Sequence, residues 1–154
     1  MAGVTDDVVA LGRLQGLYAD VISRRAFSEL TDLFRPDAVV AIDTVNGAER
    51  RIVGPVDLGA FVAAAIERYD HFTFVILNAV VDVDGDEATG RMFMCEIRHD
   101  RDSGSWQNAH GVYQDRYLRV DGRWWFAARR YRSLARTGPE GEVLGLPPAR
   151  WFTE

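Results

Sequence analysis

Two carboxylates in the second half of the chain, Glu96 and Asp115, stand in strand-like stretches that also contain tyrosine and arginine. Removal from water raises the pKa of a carboxyl group and lets it accept a proton near neutral pH, whereas a nearby arginine lowers that pKa. Tyr113 could donate a hydrogen bond to a developing oxyanion, and Arg129 could bind an anionic group. These residue types therefore point to acid–base chemistry or to the binding of a polar ligand.

Strand alternation decides which of these side chains can meet. Residues 106–136 are predicted to form two strands joined at Asp121-Gly122, since Asp-Gly between strand-like runs is typical of a tight hairpin turn. Alternate residues of a strand lie on one face of its sheet. Within each strand this groups polar with apolar side chains: Met92, Met94 and Glu96; Gly111, Tyr113 and Asp115; and Arg129, Tyr131 and Ser133. The positions between them are mostly apolar and include Phe93, Cys95, Ile97, Trp106, Val112 and Ala128.

A purely structural role for these polar residues is also open. Glu96 or Asp115 could pair with Arg129 as a buried ion pair that fixes the sheet, because structural pairs also perturb carboxylates. Tyr113 could line a pocket without moving a proton. His71 is a candidate base, since histidine titrates near neutrality, or an ordinary histidine of a loop or helix end. The three histidines lack the regular spacing of a metal site, so we expect no metal.

Periodicity predicts the elements that must position these residues. The order is helix, helix, β-hairpin, helix and four strands, over residues 6–25, 27–34, 38–53, 54–66, 72–83, 88–98, 106–120 and 123–136. Helices segregated from an antiparallel meander indicate an α+β fold. Residues 137–154 are rich in glycine and proline and are predicted to form an extended arm held by Trp151 and Phe152. The chain is thus expected to comprise a domain over 1–136 and an extension over 137–154.

Composition narrows the class of protein. The 154 residues are 47% hydrophobic and 27% charged, as in a globular domain with a substantial core. The net charge of −5 argues against non-specific nucleic-acid binding. No apolar run approaches the roughly 20 residues of a membrane span, and the N-terminus lacks the pattern of a signal peptide. Cys95 is the only cysteine, which fits a reducing compartment, so we expect a cytoplasmic protein.

The order of elements, together with four segments, resembles the SnoaL-like branch of the nuclear transport factor 2-like superfamily. The segments are LYADVISRRAFSELTDLF, IVGPVDLGAFV, VDVDGDEATGRMFM and YLRVDGRWWFAARRY, and the resemblance covers residues 8–136. It implies a cone-shaped α+β barrel, in which a curved antiparallel sheet wraps around three N-terminal helices and leaves a pocket at its open end. It also implies a homodimer through the outer sheet face, whose apolar side chains need a cover.

The dehydratases and the dehydrochlorinase of this superfamily use a His–Asp pair as their general base. The aspartate belongs five residues beyond the tyrosine matched by Tyr18, where this chain has Ser23. The histidine belongs four residues before the asparagine matched by Asn78, where this chain has Phe74. The pair is therefore missing, and His71 could replace the histidine only if the strand began with a bulge or a shift.

The resemblance implies that the three groups with polar side chains share one face, the mixed face, and that this face lies toward the pocket. It thereby selects the site residues. We predict Glu96, Asp115, His71 and Tyr113 as catalytic residues. We predict Tyr18, Met92, Met94, Arg129, Tyr131 and Ser133 as ligand-binding residues. The leading hypothesis is a cofactor-free lyase, isomerase or cyclase that acts on a small hydrophobic cyclic substrate by general acid–base chemistry. The alternatives are a non-catalytic ligand-binding or accessory protein, and a small subunit of a ring-hydroxylating dioxygenase.

Overall fold

A curved sheet of seven strands is the largest part of the fold. The structure is a computed structural model and describes residues 3–153. The strands are β1 (Phe34–Ile42), β2 (Arg50–Val53), β3 (Tyr69–Asp84), β4 (Glu87–Asp100), β5 (Trp106–Val120), β6 (Arg123–Arg136) and β7 (Glu142–Val143). Their order is β2-β1-β6-β5-β4-β3, with β7 added to β6, and within the described residues the sheet does not close. This architecture confirms the predicted α+β cone.

The helices cover the concave face of this sheet. They are α1 (Val4–Arg24), a 3-10 helix (Phe27–Asp32) and α2 (Pro55–Ile66). A short C-terminal 3-10 helix (Ala149–Phe152) lies on the outer face instead. The first helix begins two residues earlier than predicted, because the Asp6 carboxylate accepts a hydrogen bond from the Gly3 backbone N–H at 3.0 Å and caps the helix there. No helix among residues 3–153 is long and apolar enough to cross a membrane.

The long hairpin of β5 and β6 forms as predicted. Asp121 and Gly122 have φ angles of 52° and 76°, the left-handed conformations that a two-residue turn of this kind requires. The strand register then aligns the mixed face in four rows that run across β4, β5 and β6. The rows are Gly90-Asp115-Arg129, Met92-Tyr113-Tyr131, Met94-Gly111-Ser133 and Glu96-Ala109-Arg136.

The sheet is mixed rather than wholly antiparallel, which corrects one prediction. β1 pairs with β6 in parallel, with Val39 opposite Ala128 and Ile42 opposite Tyr131. Periodicity identifies strands but not their partners, so it could not reveal this pairing. β1 also begins earlier than predicted and includes Pro36, which lies where the register with β6 is interrupted; proline has no N–H to donate to a regular ladder.

The C-terminal extension folds back onto the outer face of the sheet. β7 pairs with the end of β6, and Trp151 is buried. The Gln114 side chain donates a hydrogen bond to the Phe152 carbonyl at 2.8 Å, and the Arg130 guanidinium lies 5.2 Å from the centre of the Trp151 ring. These contacts agree with the predicted anchoring of the arm by its two aromatic residues.

Candidate functional site

A cavity of about 200 Å³ lies between the helices and the concave face of the sheet. Apolar residues of α1, α2, β1 and β3 form most of its wall, including Phe61, Val62, Ile66 and Phe74. The polar part of the wall consists of Tyr18, Tyr69, Glu96, Arg98, Tyr113, Tyr131 and Arg136. A larger open depression of about 830 Å³ lies between β2 and α2, and no predicted site residue lines it. The enclosed cavity is therefore the candidate site.

Glu96 is the carboxylate on the cavity wall. Its side chain is 17% exposed, and its Oε2 accepts hydrogen bonds from the Nε of Arg98 at 3.0 Å and from the Nη2 of the same residue. The Nη1 of Arg98 donates to the Tyr69 hydroxyl at 3.2 Å. Burial disfavours the charged guanidinium, but Glu96 more than offsets this and raises the pKa of Arg98. Among the described residues Oε1 of Glu96 has no hydrogen-bond partner, so this oxygen is available to a ligand.

Three of the four tyrosines on the cavity wall are Tyr18, Tyr113 and Tyr131. The Tyr113 and Tyr131 ring centres are 4.9 Å apart, and burial raises the pKa of Tyr18, Tyr113 and Tyr131. These phenols therefore stay protonated near neutral pH and can donate hydrogen bonds. The Tyr131 ring lies against Gly111, where an added Cβ would stand 2.2 Å from the ring. Gly111 is therefore needed for this position of Tyr131.

Asp115 and Arg129 form a closed ion pair that does not line the cavity. Both side chains are fully buried, with Nε 2.7 Å from Oδ1 and Nη2 3.1 Å from Oδ2. The Tyr117 hydroxyl also donates to Asp115 Oδ2 at 3.0 Å. Burial raises the pKa of Asp115, and Arg129 opposes that rise. The structural alternative considered for these carboxylates thus describes Asp115.

The Arg129 guanidinium is enclosed by aromatic rings. Its central carbon lies 3.9 Å from the centre of the Tyr113 ring, 4.3 Å from that of Tyr18 and 4.6 Å from that of Phe126. Its Nη1 has no hydrogen-bond partner among the described residues, so cation–π attraction takes the place of one hydrogen bond. Burial disfavours the charge, but Asp115 outweighs burial and the pKa of Arg129 is raised.

Three further predicted ligand-binding residues are packed away from the cavity. Met92 and Met94 are fully buried in the core, and the Met92 sulfur lies 3.8 Å from Nη2 of Arg129. Ser133 is also buried, and its backbone N–H donates to the Asp43 carboxylate at 3.1 Å. None of the three lines the cavity, so the alternation predicts the face correctly but cannot say where along that face the empty space begins.

His71 lies outside the cavity. The start of β3 does contain an irregularity between Tyr69 and His71, as a displaced catalytic histidine would require. The His71 side chain is nevertheless exposed; its Nε2 lies 3.0 Å from the Thr73 hydroxyl, and its ring centre lies 5.3 Å from that of Trp106. The geometry therefore does not bring His71 to the other candidate residues.

The two positions that match the His–Asp pair contact each other in a different way. The Ser23 hydroxyl accepts a hydrogen bond from the Phe74 backbone N–H at 2.9 Å, which ties α1 to β3. The Phe74 ring lines the cavity and meets the Tyr18 ring edge-on at 5.4 Å. In the register Phe74 stands opposite Glu96 on the neighbouring strand. A different carboxylate, Glu96, thus stands beside one position of the missing pair.

Sequence reasoning missed several residues of the polar wall. Arg98 continues the alternation of Met92, Met94 and Glu96 by one step, so the pattern itself could have found it. Arg136 is different, because the register shifts between Ser133 and Ala135 and brings Arg136 into the row of Glu96. Such a bulge has no reliable sequence signal. Tyr69 lies before the predicted start of its strand.

Comparison with known proteins identifies relatives of this arrangement. A family model described as SnoaL-like domain matches residues 4–130. A candidate scytalone dehydratase from Novosphingobium aromaticivorans is 21% identical, with a TM-score of 0.75 over 92% of each chain. A hexachlorocyclohexane dehydrochlorinase from Novosphingobium barchaimii is 19% identical, with a TM-score of 0.75 over 90% of this chain and 94% of that one. A protein of unknown function from Mycobacterium tuberculosis, with an Asp-to-Asn substitution, is 24% identical, with a TM-score of 0.72 over 85% of this chain and 76% of that one. None of the curated proteins matches.

Proposed function

This chain belongs to the SnoaL-like domain family, and from that premise we propose that it is an enzyme that transfers protons on a small hydrophobic cyclic substrate without a cofactor. The observation that carries the proposal is Glu96, a carboxylate with one free oxygen on the wall of an apolar cavity. Dehydration, isomerisation and cyclisation all begin or end with such a transfer. Dehydratase and dehydrochlorinase are the activities named for two of the similar structures.

In this proposal Glu96 is the general base. Its Oε1 accepts a proton from a C–H or O–H group of the substrate, while Arg98 holds Oε2 and fixes the direction of the carboxylate. Tyr113 and Tyr131, which stay protonated, donate hydrogen bonds to the oxygen on which negative charge develops. Asp115 and His71 have no part in these steps, because neither lines the cavity.

The size of the cavity limits the substrate. Its volume of about 200 Å³ is close to that of protein cavities of about 150 Å³ that bind benzene. The apolar side chains of α2, Phe61 and Val62 among them, face that space. A substrate with one ring and a polar substituent therefore fits, and a second ring would not fit inside the cavity itself.

The test replaces the proposed base. Glu96→Gln keeps the size of the side chain but removes its basicity, and we expect the rate of proton transfer to fall at least roughly 100-fold. The measurement is the exchange of ring C–H protons for deuterium in a series of cyclic ketones, followed by NMR. Glu87→Gln is the matched control, since Glu87 is an exposed carboxylate of the same strand. An unchanged exchange rate in Glu96→Gln would rule out Glu96 as the base.

A non-catalytic ligand-binding protein is the second candidate, and one observation favours it. Ser23 and Phe74 occupy the positions of the catalytic pair, and the Ser23 hydroxyl already accepts a hydrogen bond from the Phe74 backbone N–H. On this hypothesis cyclic ketones bind in the cavity, but no exchange occurs above the rate in buffer. Calorimetric binding together with an absence of exchange would select this candidate over the enzyme.

The proposal includes a homodimer that is formed through the outer face of the sheet. The C-terminal extension covers the part of this face near Gln114 and Arg130. Leu77 and Val80 on β3 remain 58% and 48% exposed, which supports a second copy as their cover. Light scattering should give twice the mass of the 17.3 kDa chain, and Leu77→Glu should reduce it to the mass of one chain. A wild-type mass of one chain would contradict the dimer.

A cytoplasmic location is likewise a proposal. It is supported by the single cysteine, Cys95, which is buried and unpaired. A thiol in that state is typical of proteins from reducing compartments. Fractionation of the producing cells would test it, and recovery of the protein outside the cytoplasm would contradict it.

A further inference from the structure

The cavity opens into a polar vestibule. This second space has a volume of about 450 Å³ and shares four wall residues with the cavity, namely Ala65, Tyr69, Arg98 and Arg136. The rest of its wall is mostly polar and consists of Arg68, Ser103, Ser105, Gln107, Thr137, Pro139 and Glu140. A ligand in the cavity can therefore extend one end past Arg98 and Arg136 into the vestibule.

Arg136 is the cation of this opening that lacks a counter-ion. Among the described residues it makes no ion pair within 4 Å, and this includes Glu140, the acidic residue of the vestibule wall. It shares a row of the sheet with Glu96, and the small Ala109 separates the two. The guanidinium can therefore reach over the entrance without a bulky neighbour between it and the cavity.

The other two guanidinium groups of the vestibule are already oriented. The Nε of Arg68 donates a hydrogen bond to the Asp100 carboxylate at 2.8 Å. Asp100 also accepts hydrogen bonds from the backbone N–H groups of Asp102 and Ser103. Arg98 is bound to Glu96 and Tyr69. Arg98 and Arg136 both line the cavity and the vestibule, so both guanidinium groups belong to the boundary between the two spaces.

We propose that the ligand is a small ring compound bearing a carboxylate, with the ring in the cavity and the carboxylate bound at the rim by Arg136 and Arg98. The inference rests on the proposed function, since it takes the cavity as the substrate site. A carboxylate matches a guanidinium in charge and in planar two-pronged geometry. Binding there directs the ring toward Phe74 and Glu96, which stand opposite each other on β3 and β4.

A pair of probes that differ in charge tests this inference. Phenylacetate and phenylacetamide have nearly the same size, and only the first is anionic. In calorimetric titrations we expect phenylacetate to bind the wild-type protein at least about 10-fold more tightly, because a hydrogen bond to a charged group is stronger than a neutral one. Raising the salt concentration should weaken the binding of phenylacetate and leave that of phenylacetamide nearly unchanged.

Variants locate the effect. Arg136→Gln should reduce the preference for phenylacetate to less than about 3-fold, and Arg136→Lys should retain part of it. Arg13→Gln is the matched control, since Arg13 is an exposed arginine of α1 that lines neither space. Thermal unfolding of each variant would show that the fold is intact.

The outcomes distinguish this inference from the proposed function. Equal binding of the two probes, binding of neither, or a preference that survives Arg136→Gln would overturn the carboxylate inference, even where proton exchange still depends on Glu96. Conversely, a preference that Arg136→Gln abolishes would support the inference, even where Glu96→Gln exchanges protons at the wild-type rate and the catalytic proposal fails.

Discussion

Two carboxylate–guanidinium pairs lie on the same face of one sheet and differ in almost every other respect. Asp115 and Arg129 occupy one row of the sheet. Glu96, which pairs with Arg98, lies in another row, and two rows separate it from the first. The first pair is fully buried and uses both carboxylate oxygens. The second borders the cavity and uses one oxygen. A carboxylate bound to a guanidinium is thus a structural contact in one place and a candidate reactive group in the other.

Access from the cavity and unused hydrogen-bonding capacity separate the two roles. A buried ion pair is stabilised only if its partners satisfy each other, because neither charge can turn to water. Asp115 meets this condition with Arg129 and Tyr117. Glu96 lies beside an open space and keeps one oxygen free, so a ligand can approach it without breaking the fold.

The largest expected loss of stability comes from removing one partner of the buried Asp115–Arg129 pair. Asp115→Ala leaves the Arg129 charge buried without its counter-ion, and we expect the free energy of unfolding to fall by about 3–5 kcal/mol. Urea unfolding followed by circular dichroism measures it. The matched change in the other pair, Glu96→Ala, should cost less than about 2 kcal/mol, because water in the cavity can solvate Arg98. Similar losses in the two variants would remove the distinction between the pairs.

A double variant separates the effect of an unpaired buried charge from the effect of lost side-chain volume. Asp115→Ala combined with Arg129→Met removes both charges, and the combined loss should be smaller than the sum of the single losses. Strict additivity would mean that the two side chains contribute independently, contrary to the paired geometry at 2.7 Å.

A smaller effect is expected between the two pairs, at Gly111. A methyl group there would stand 2.2 Å from the Tyr131 ring, so Gly111→Ala must displace that ring. We expect a loss of about 1–3 kcal/mol in stability and weaker binding of cyclic ketones. Gly85→Ala is unsuitable as a control because φ is positive there, whereas Gly12→Ala on α1 meets no atom within 4 Å. Unchanged ketone binding in Gly111→Ala would exclude Tyr131 from the ligand contact.

The smallest effect concerns a third buried carboxylate, Asp100, and depends on pH. Hydrogen bonds from the backbone of Ser103 and from Arg68 lower its pKa from 3.8 to about 2. Since the folded value lies below the unfolded one, its stabilising contribution is complete above about pH 4 and is lost as the pH falls through about 2. Unfolding measured between these limits should show a shallower pH dependence in Asp100→Asn than in the wild type. Equal slopes would mean that Asp100 is not held by these partners.

Much of the fold could be predicted because local patterns encode it. Alternation together with the family resemblance placed Glu96, Tyr113, Asp115 and Tyr131 on one face, and Asp121-Gly122 supplied the turn between β5 and β6. The candidate site was predicted only in part. Tyr18, Glu96, Tyr113 and Tyr131 line the cavity, whereas Met92, Met94, Asp115, Arg129 and Ser133 are packed beside it and His71 lies outside.

The sequence alone groups the side chains within each strand, since a strand repeats every two residues whatever it packs against. It also shows that the family's His–Asp pair is missing, since Ser23 and Phe74 can be read directly from the chain. The pairing of Asp115 with Arg129 and of Glu96 with Arg98 is visible only in the folded chain. The same holds for the bulge that brings Arg136 to the rim. Pairing and access depend on where the helices leave space above the sheet, and that is a property of packing among distant segments, which no local pattern contains.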